Sequence, residues 1–255
     1  MASDLLRHPF LVFALSFVVL WFAAWSGAFL RSKLGFKLPG DLHEDFSVIL
    51  AASLTLLGLI IGFSFSMATN RYDLRKNYEE AEANAIGTEY VRADLLPQAH
   101  AAQVRALLRQ YTNLRIQFYE TSDRDQLPRI NQDTAQLQNK LWAAVAEPAN
   151  AQPTPVRALA VSGMNDVLNS QGYTQAAWWN RIPPSAWGMM IAIAVVANVL
   201  VGVGAHHSKA TLFVVVPLVV AVAFLLIADI DSPRGGIIRI HPQNLESLHT
   251  SLSEQ

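Results

Sequence analysis

Residues 46–80 read FSVILAASLTLLGLIIGFSFSMATNRYDLRKNYEE. From Phe46 to Thr69 there is no Asp, Glu, Lys or Arg, and then Arg71, Asp73, Arg75 and Lys76 arrive almost together. The uncharged run matches the roughly 20 residues a helix needs to cross a hydrocarbon core of about 30 Å. Backbone amides cannot stay unpaired in lipid, so the run is expected to cross as a helix. Residues Tyr72 to Leu96 are free of Pro and rich in Glu, Ala, Arg and Leu. One long helix is therefore predicted to leave the membrane and continue past it.

Three more uncharged runs lie outward from this one: Pro9 to Leu30, Ser185 to Ala205 and Thr211 to Ala228. The first is long, carries Trp21 and Trp25, and is followed by Arg31, Lys33 and Lys37 without a small-residue cleavage site, so it reads as a retained span rather than a signal peptide. The fold class expected is an all-α membrane protein with four transmembrane helices in a two-plus-two arrangement. The expected divisions are a first transmembrane pair (1–69), a cytoplasmic helical bundle (70–182), a second transmembrane pair (183–231) and a C-terminal tail (232–255). Four spans put both termini and the bundle on one side. Arg7, Arg71, Arg75, Lys76, Arg181, Arg234 and Arg239 lie there, against Arg31, Lys33, Lys37 and Lys209 opposite. By the positive-inside rule that side is cytoplasmic. The localisation expected is the bacterial inner membrane.

Composition narrows the functions. The formal net charge of −1 gives no basis for nucleic-acid binding. The absence of Cys excludes disulfides, thiolate metal sites and cysteine catalysis. The adjacent His206-His207 pair diverges on a helix and has no third ligand nearby. No span carries Asp or Glu for intramembrane proteolysis, and no phosphate loop or Gly-x-Ser-x-Gly is present. No catalytic residue, metal or cofactor is expected.

Between the second and third runs, Val104, Leu107, Leu108, Tyr111, Leu114 and Phe118 recur at three-to-four spacing in a helix over Gln98 to Thr121. Another helix is expected over Gln132 to Val145, ended by a Pro148 to Pro155 linker. A further one is expected over Val156 to Trp179, interrupted near Gly172.

The second span has two stripes. Ala51, Thr55, Gly58, Gly62, Ser66 and Thr69 form a small-residue face, with Gly58 and Gly62 as a GxxxG that lets helices approach closely. Ser53, Leu57, Ile60, Ser64 and Met67 form the other, with hydroxyls flanking an apolar stretch. A pore lining with a hydrophobic constriction has that pattern, but on pattern alone packing of both stripes against neighbouring helices is the favoured reading. Asn198, deep in the third span, calls for a protein partner, most simply an interhelical hydrogen bond. Pro217 in the fourth span removes a backbone bond and is a place for a kink. Near the membrane, Glu79, Glu82, Asp229 and Asp231 allow two readings. They pair with arginines such as Arg71 and Arg75, or they supply oxygen ligands to a cation or a ring of charge at a pore mouth.

The stretch from Gly62-Phe63-Ser64 through Asn70-Arg71-Tyr72, with Glu82-Ala83-Asn84-Ala85-Ile86-Gly87-Thr88 after it, resembles the first signature of the bacterial bestrophin-like domain proteins. Asp229-Ile230-Asp231-Ser232-Pro233-Arg234-Gly235-Gly236, with His241-Pro242 following, is similar to their second signature. The resemblance covers nearly the whole chain. It implies a distant likeness to bestrophins: pentameric channels with four spans per subunit, a pore lined by the second helix, and a helical cytoplasmic portion.

Two functions follow. The first is a homo-oligomeric ion channel in the lipid bilayer, with Ser53, Leu57, Ile60 and Ser64 facing the pore. Glu79 and Glu82 would then line a vestibule that favours cations among inorganic ions. The second is a non-conducting scaffold or signalling protein acting through its bundle, with Gln98 to Thr121 as the docking helix.

Overall fold

The computed structural model describes residues 8–34, 40–204 and 211–254, with only the backbone for residues 34, 40–44 and 212. His206, His207, Arg7, Lys37 and Lys209 lie outside the described residues. The described chain is helical, with no strand. In order the helices are α1 (Pro9–Leu34), α2 (Gly40–Arg92), α3 (Gln98–Glu120), α4 (Leu127–Ala151), α5 (Pro155–Trp179), α6 (Pro184–Gly204), α7 (Leu212–Asp231) and α8 (Gln243–Ser253). A single 3₁₀ turn, Ala93–Leu95, follows α2. Four stretches, carried by α1, α2, α6 and α7, are long and apolar enough to cross a membrane. The chain forms two compact units.

The first unit comprises Met1–Arg71 and Arg181–Arg239. Here α1 packs along α6 and α7. Gly27 and Gly202 set the spacing of α1 and α6. A Cβ on Gly27 would strike the Val199 carbonyl oxygen, and one on Gly202 the Ala24 carbonyl oxygen. Only glycine permits so close an approach of backbones. Arg31 Nη1 ties the end of α1 to the Val203 carbonyl at 3.0 Å, and Trp187 meets Phe224 edge-on with centroids 5.9 Å apart. Asn198 is buried, but its Nδ2 donates to the Ala194 carbonyl of its own helix at 2.8 Å. The interhelical bond expected of it is replaced by closure one turn back, which satisfies the donor without a neighbour.

The second unit comprises Tyr72–Asn180 and Ile240–Gln255. Its core gathers Ile86 and Tyr90 of α2, Val104, Leu108, Tyr111 and Phe118 of α3, Leu137, Leu141 and Val145 of α4, Met164 and Val167 of α5, and Leu245 and Leu252 of α8. The three-to-four spacing read in α3 is thus a core face, and the tail residues from Ile240 close the same core. Two boundaries differ from expectation. Helix α4 runs through Pro148 to Ala151, and the Pro148 carbonyl still accepts from the Gln152 amide at 3.2 Å. Helix α5 is unbroken at Gly172, an exposed position where a glycine weakens a helix by only about 1 kcal/mol. Its start is fixed by the Thr154 cap, which accepts from the Arg157 amide at 3.2 Å, with Pro155 next.

Candidate functional site

In the first unit, the apolar part of α2 is barely covered. Between Phe46 and Thr69 only Leu57, Ser64 and Ala68 are buried. Leu57 is 2% exposed and Ser64 3%. Those two belong to the stripe expected to line a pore; they are turned into their own chain, with Ser53 and Ile60 at its edge. The other side of the helix stays open. Leu59 is 53% exposed and Phe63 62%, flanked by exposed Thr55 and Ser66. Among the described residues a Cβ on Gly58 or Gly62 would meet nothing within 4 Å, so the GxxxG packs against none of them.

At the C-terminal end of α7 the acidic pair is also turned inward. Asp229 Oδ1 and Oδ2 accept from the backbone amides of Ile237 and Ile238, each at 2.8 Å. A Cβ on Gly236 would strike Asp229 Oδ1, so glycine is needed for the turn to close over this carboxylate. Asp231 accepts the Ile182 amide at 3.2 Å on both oxygens and lies 3.7 Å from Arg71 Nη1. Arg181 donates to Ser232 Oγ nearby.

Beyond Thr69, α2 is charged and outside its apolar stretch. In the second unit it buries Arg75, Glu79, Glu82 and Glu89 on one side, each 0–1% exposed. Arg75 caps the end of α5, donating through Nε to the Ala177 carbonyl at 3.1 Å and through Nη2 to the Asn180 carbonyl at 3.0 Å. Glu79 does the converse for α8. Its carboxylate accepts the amides of Asn244 and Leu245 at 3.0 and 2.9 Å, and Asn244 Nδ2 at 2.6 Å. The free amides and positive dipole end of a helix favour a carboxylate there.

Glu82 meets Arg115 in the core. Arg115 Nε donates to Glu82 Oε1 at 2.5 Å, and Thr174 and Tyr119 hydroxyls approach Oε2 at 3.1 and 3.4 Å. The guanidinium also lies over the Phe118 ring, 4.4 Å from its centroid. Burial alone would lower the affinity of Arg115 for its proton, yet the adjacent Glu82 charge holds it above its ordinary value. Burial, reinforced by the Glu82 charge, pushes the Tyr119 and Tyr111 hydroxyls well up, so both stay neutral.

All four acids named from the sequence are therefore occupied by donors of the same chain. Asp231 with Arg71 follows the pairing reading, whereas Arg75 serves a helix end. No group of three His, Cys, Asp or Glu suited to a metal occurs among the described residues. In α3, the helix expected to serve for docking, the apolar stripe lies in the core: Val104, Leu108 and Tyr111 are fully buried. Sequence reasoning missed Arg115, Tyr119, Thr174 and Asn244. Arg115 had a signal, since a charge set between Tyr111 and Phe118 on an apolar stripe requires a buried partner.

A model of the bestrophin-like domain matches residues 11–245. Among solved structures, a bacterial bestrophin homolog from Klebsiella pneumoniae aligns with a TM-score of 0.65 at 14% identity, covering 95% of this chain and 96% of that one. A single-substitution form of the Klebsiella pneumoniae homolog aligns with a TM-score of 0.63 at 13% identity, over 96% of this chain and 98% of that one. No curated protein matches the chain.

Proposed function

We propose that this chain, which belongs to the bestrophin-like domain family, is a subunit of a homo-oligomeric ion channel whose pore is lined by α2. What carries the reading is the open side of that helix in the first unit. Thr55, Leu59, Phe63 and Ser66 place two bulky apolar side chains between two hydroxyls, on a face that the described residues leave uncovered. A ring of copies around an axis would turn this pattern into a hydrophobic constriction that gates by dewetting. It is the pattern sought in Ser53, Leu57, Ile60 and Ser64, moved to the opposite side because Leu57 and Ser64 are buried. Glu79 and Glu82 no longer supply a basis for cation preference. The exposed carboxylates of the α2 extension, Asp73 and Glu80, take that role, with exposed Lys76 opposing them. The channel sits in the bacterial inner membrane with both termini in the cytoplasm, and five subunits are the number its family implies.

The chain has no Cys, so a single introduced thiol reports unambiguously. Phe63→Cys is expected to cross-link between copies, and thiol reagents are expected to block ion flux into liposomes. Leu57→Cys, buried, should do neither. Leu59→Ala with Phe63→Ala should raise flux by widening the apolar ring. A monomer that passes no ions, with Phe63→Cys never cross-linking, sinks the proposal.

A further inference from the structure

Glu89 differs from the other buried charges of α2. It is fully buried, and among the described residues neither carboxylate oxygen has a hydrogen-bond partner. Its head rests on the backbone of α5: a Cβ on Gly163 would strike Glu89 Oε2 and crowd the Arg92 guanidinium. Among the described residues the charged groups that face it are Arg92, on its own helix, and Asp166, on α5. Those two lie 3.9 Å apart and are partly exposed, so the Arg92 charge is divided between two acids and screened by water. An ionised carboxylate with no donor in a dry seam is unfavourable; the neutral acid is not.

We propose that Glu89 is a proton-operated latch on the seam between α2 and α5: the protonated carboxyl keeps the seam dry, and loss of that proton to solvent opens it to water. Burial pushes the carboxyl from its ordinary 4.5 up to about 8, with Arg92 pulling it down and Asp166 adding to the rise. The folded unit then holds a proton that the unfolded chain has lost. The stabilisation is complete below pH 4.5, declines as pH rises, and is gone above about 8. The latch concerns the second unit alone and stands whether or not the protein conducts.

Hydrogen exchange on the full chain in detergent tests it, read in peptides covering 86–92 and 157–170 at about pH 7 and about pH 9.5. Protection of both, after correction for intrinsic exchange, is expected to fall about tenfold or more at the higher pH. Glu89→Gln, permanently neutral, should keep its protection at both. Infrared spectroscopy should show a protonated carboxyl in the native protein at pH 7 that disappears by about pH 9.5 and is missing in Glu89→Gln. Should Glu89→Gln not fold, the native infrared band decides alone. Absence of a protonated carboxyl at pH 7 overturns the latch, as does a Glu89→Gln protein that loses protection with pH as the native one does.

Discussion

Replacing Glu82 by Gln separates a structural carboxylate from an ion-handling one. The residue and its partner Arg115 are both 0% exposed, so removing the charge strands a guanidinium in the core of the second unit. Breaking a buried pair by deleting one member typically costs about 3–5 kcal/mol, because the remaining charge has no counterion. Glutamine keeps an acceptor for Thr174 or Tyr119 but not for the full Arg115 fork. For a chain of this size, about 3–5 kcal/mol corresponds to a fall in Tm of roughly 6–20 °C. Thermal unfolding in detergent reads the shift. Glu82→Met with Arg115→Met removes both charges together and should recover much of the loss, since an apolar replacement of a buried pair is often near neutral. Reversal potentials of whatever folded Glu82→Gln protein can be reconstituted should match the native protein. A Glu82→Gln protein of native Tm with altered ion preference would refute this account and restore Glu82 to a vestibule.

Further outcomes follow from the surroundings of four glycines and of Asp229. Gly27→Ala and Gly202→Ala push a methyl into a backbone carbonyl across the α1–α6 crossing, and each should cost about 1–3 kcal/mol in thermal unfolding. Gly58→Ala and Gly62→Ala meet open space among the described residues and should leave the stability of the chain equal or higher by up to about 1 kcal/mol. Asp229→Asn weakens the hold on the Ile237 and Ile238 amides and should cost about 1–3 kcal/mol. Because those amides already fill the carboxylate, Ca²⁺ or a chelator should leave the native Tm unmoved; a Ca²⁺-dependent rise would show that the acid is free to bind metal.

The spans were legible because charge is excluded from them so completely, and the bundle because α3 repeats its apolar residues at helical spacing. Helix α8 was missed within the expected C-terminal tail, although its apolar spacing was there to read. Leu245, Leu248 and Leu252 recur at three and four after Pro242, and only the brevity of the segment concealed them. The faces of α2 were not legible. Both of its stripes mix hydroxyls with apolar groups, and periodicity says which residues share a side without saying which side a neighbour covers. Leu57 and Ser64 are inside while Leu59 and Phe63 are out.

The same limit applies to the charges, with a different lesson. Arg75, Glu79, Glu82 and Glu89 look like a solvated face when read as a run of polar residues, yet in the second unit they are its buried side. Three of them have an identifiable task. Arg75 closes the end of α5, Glu79 opens α8, and Glu82 neutralises Arg115. Each satisfies backbone or side-chain groups that would otherwise be orphaned, which is why a buried charge there is tolerated. Glu89 has no such client among the described residues: it terminates no helix and accepts no hydrogen bond. A side chain that only neutralised packing would be as well served by glutamine or methionine. What the carboxyl alone adds is the ability to change charge in place, and that difference from its three neighbours makes proton binding the physical account of its position.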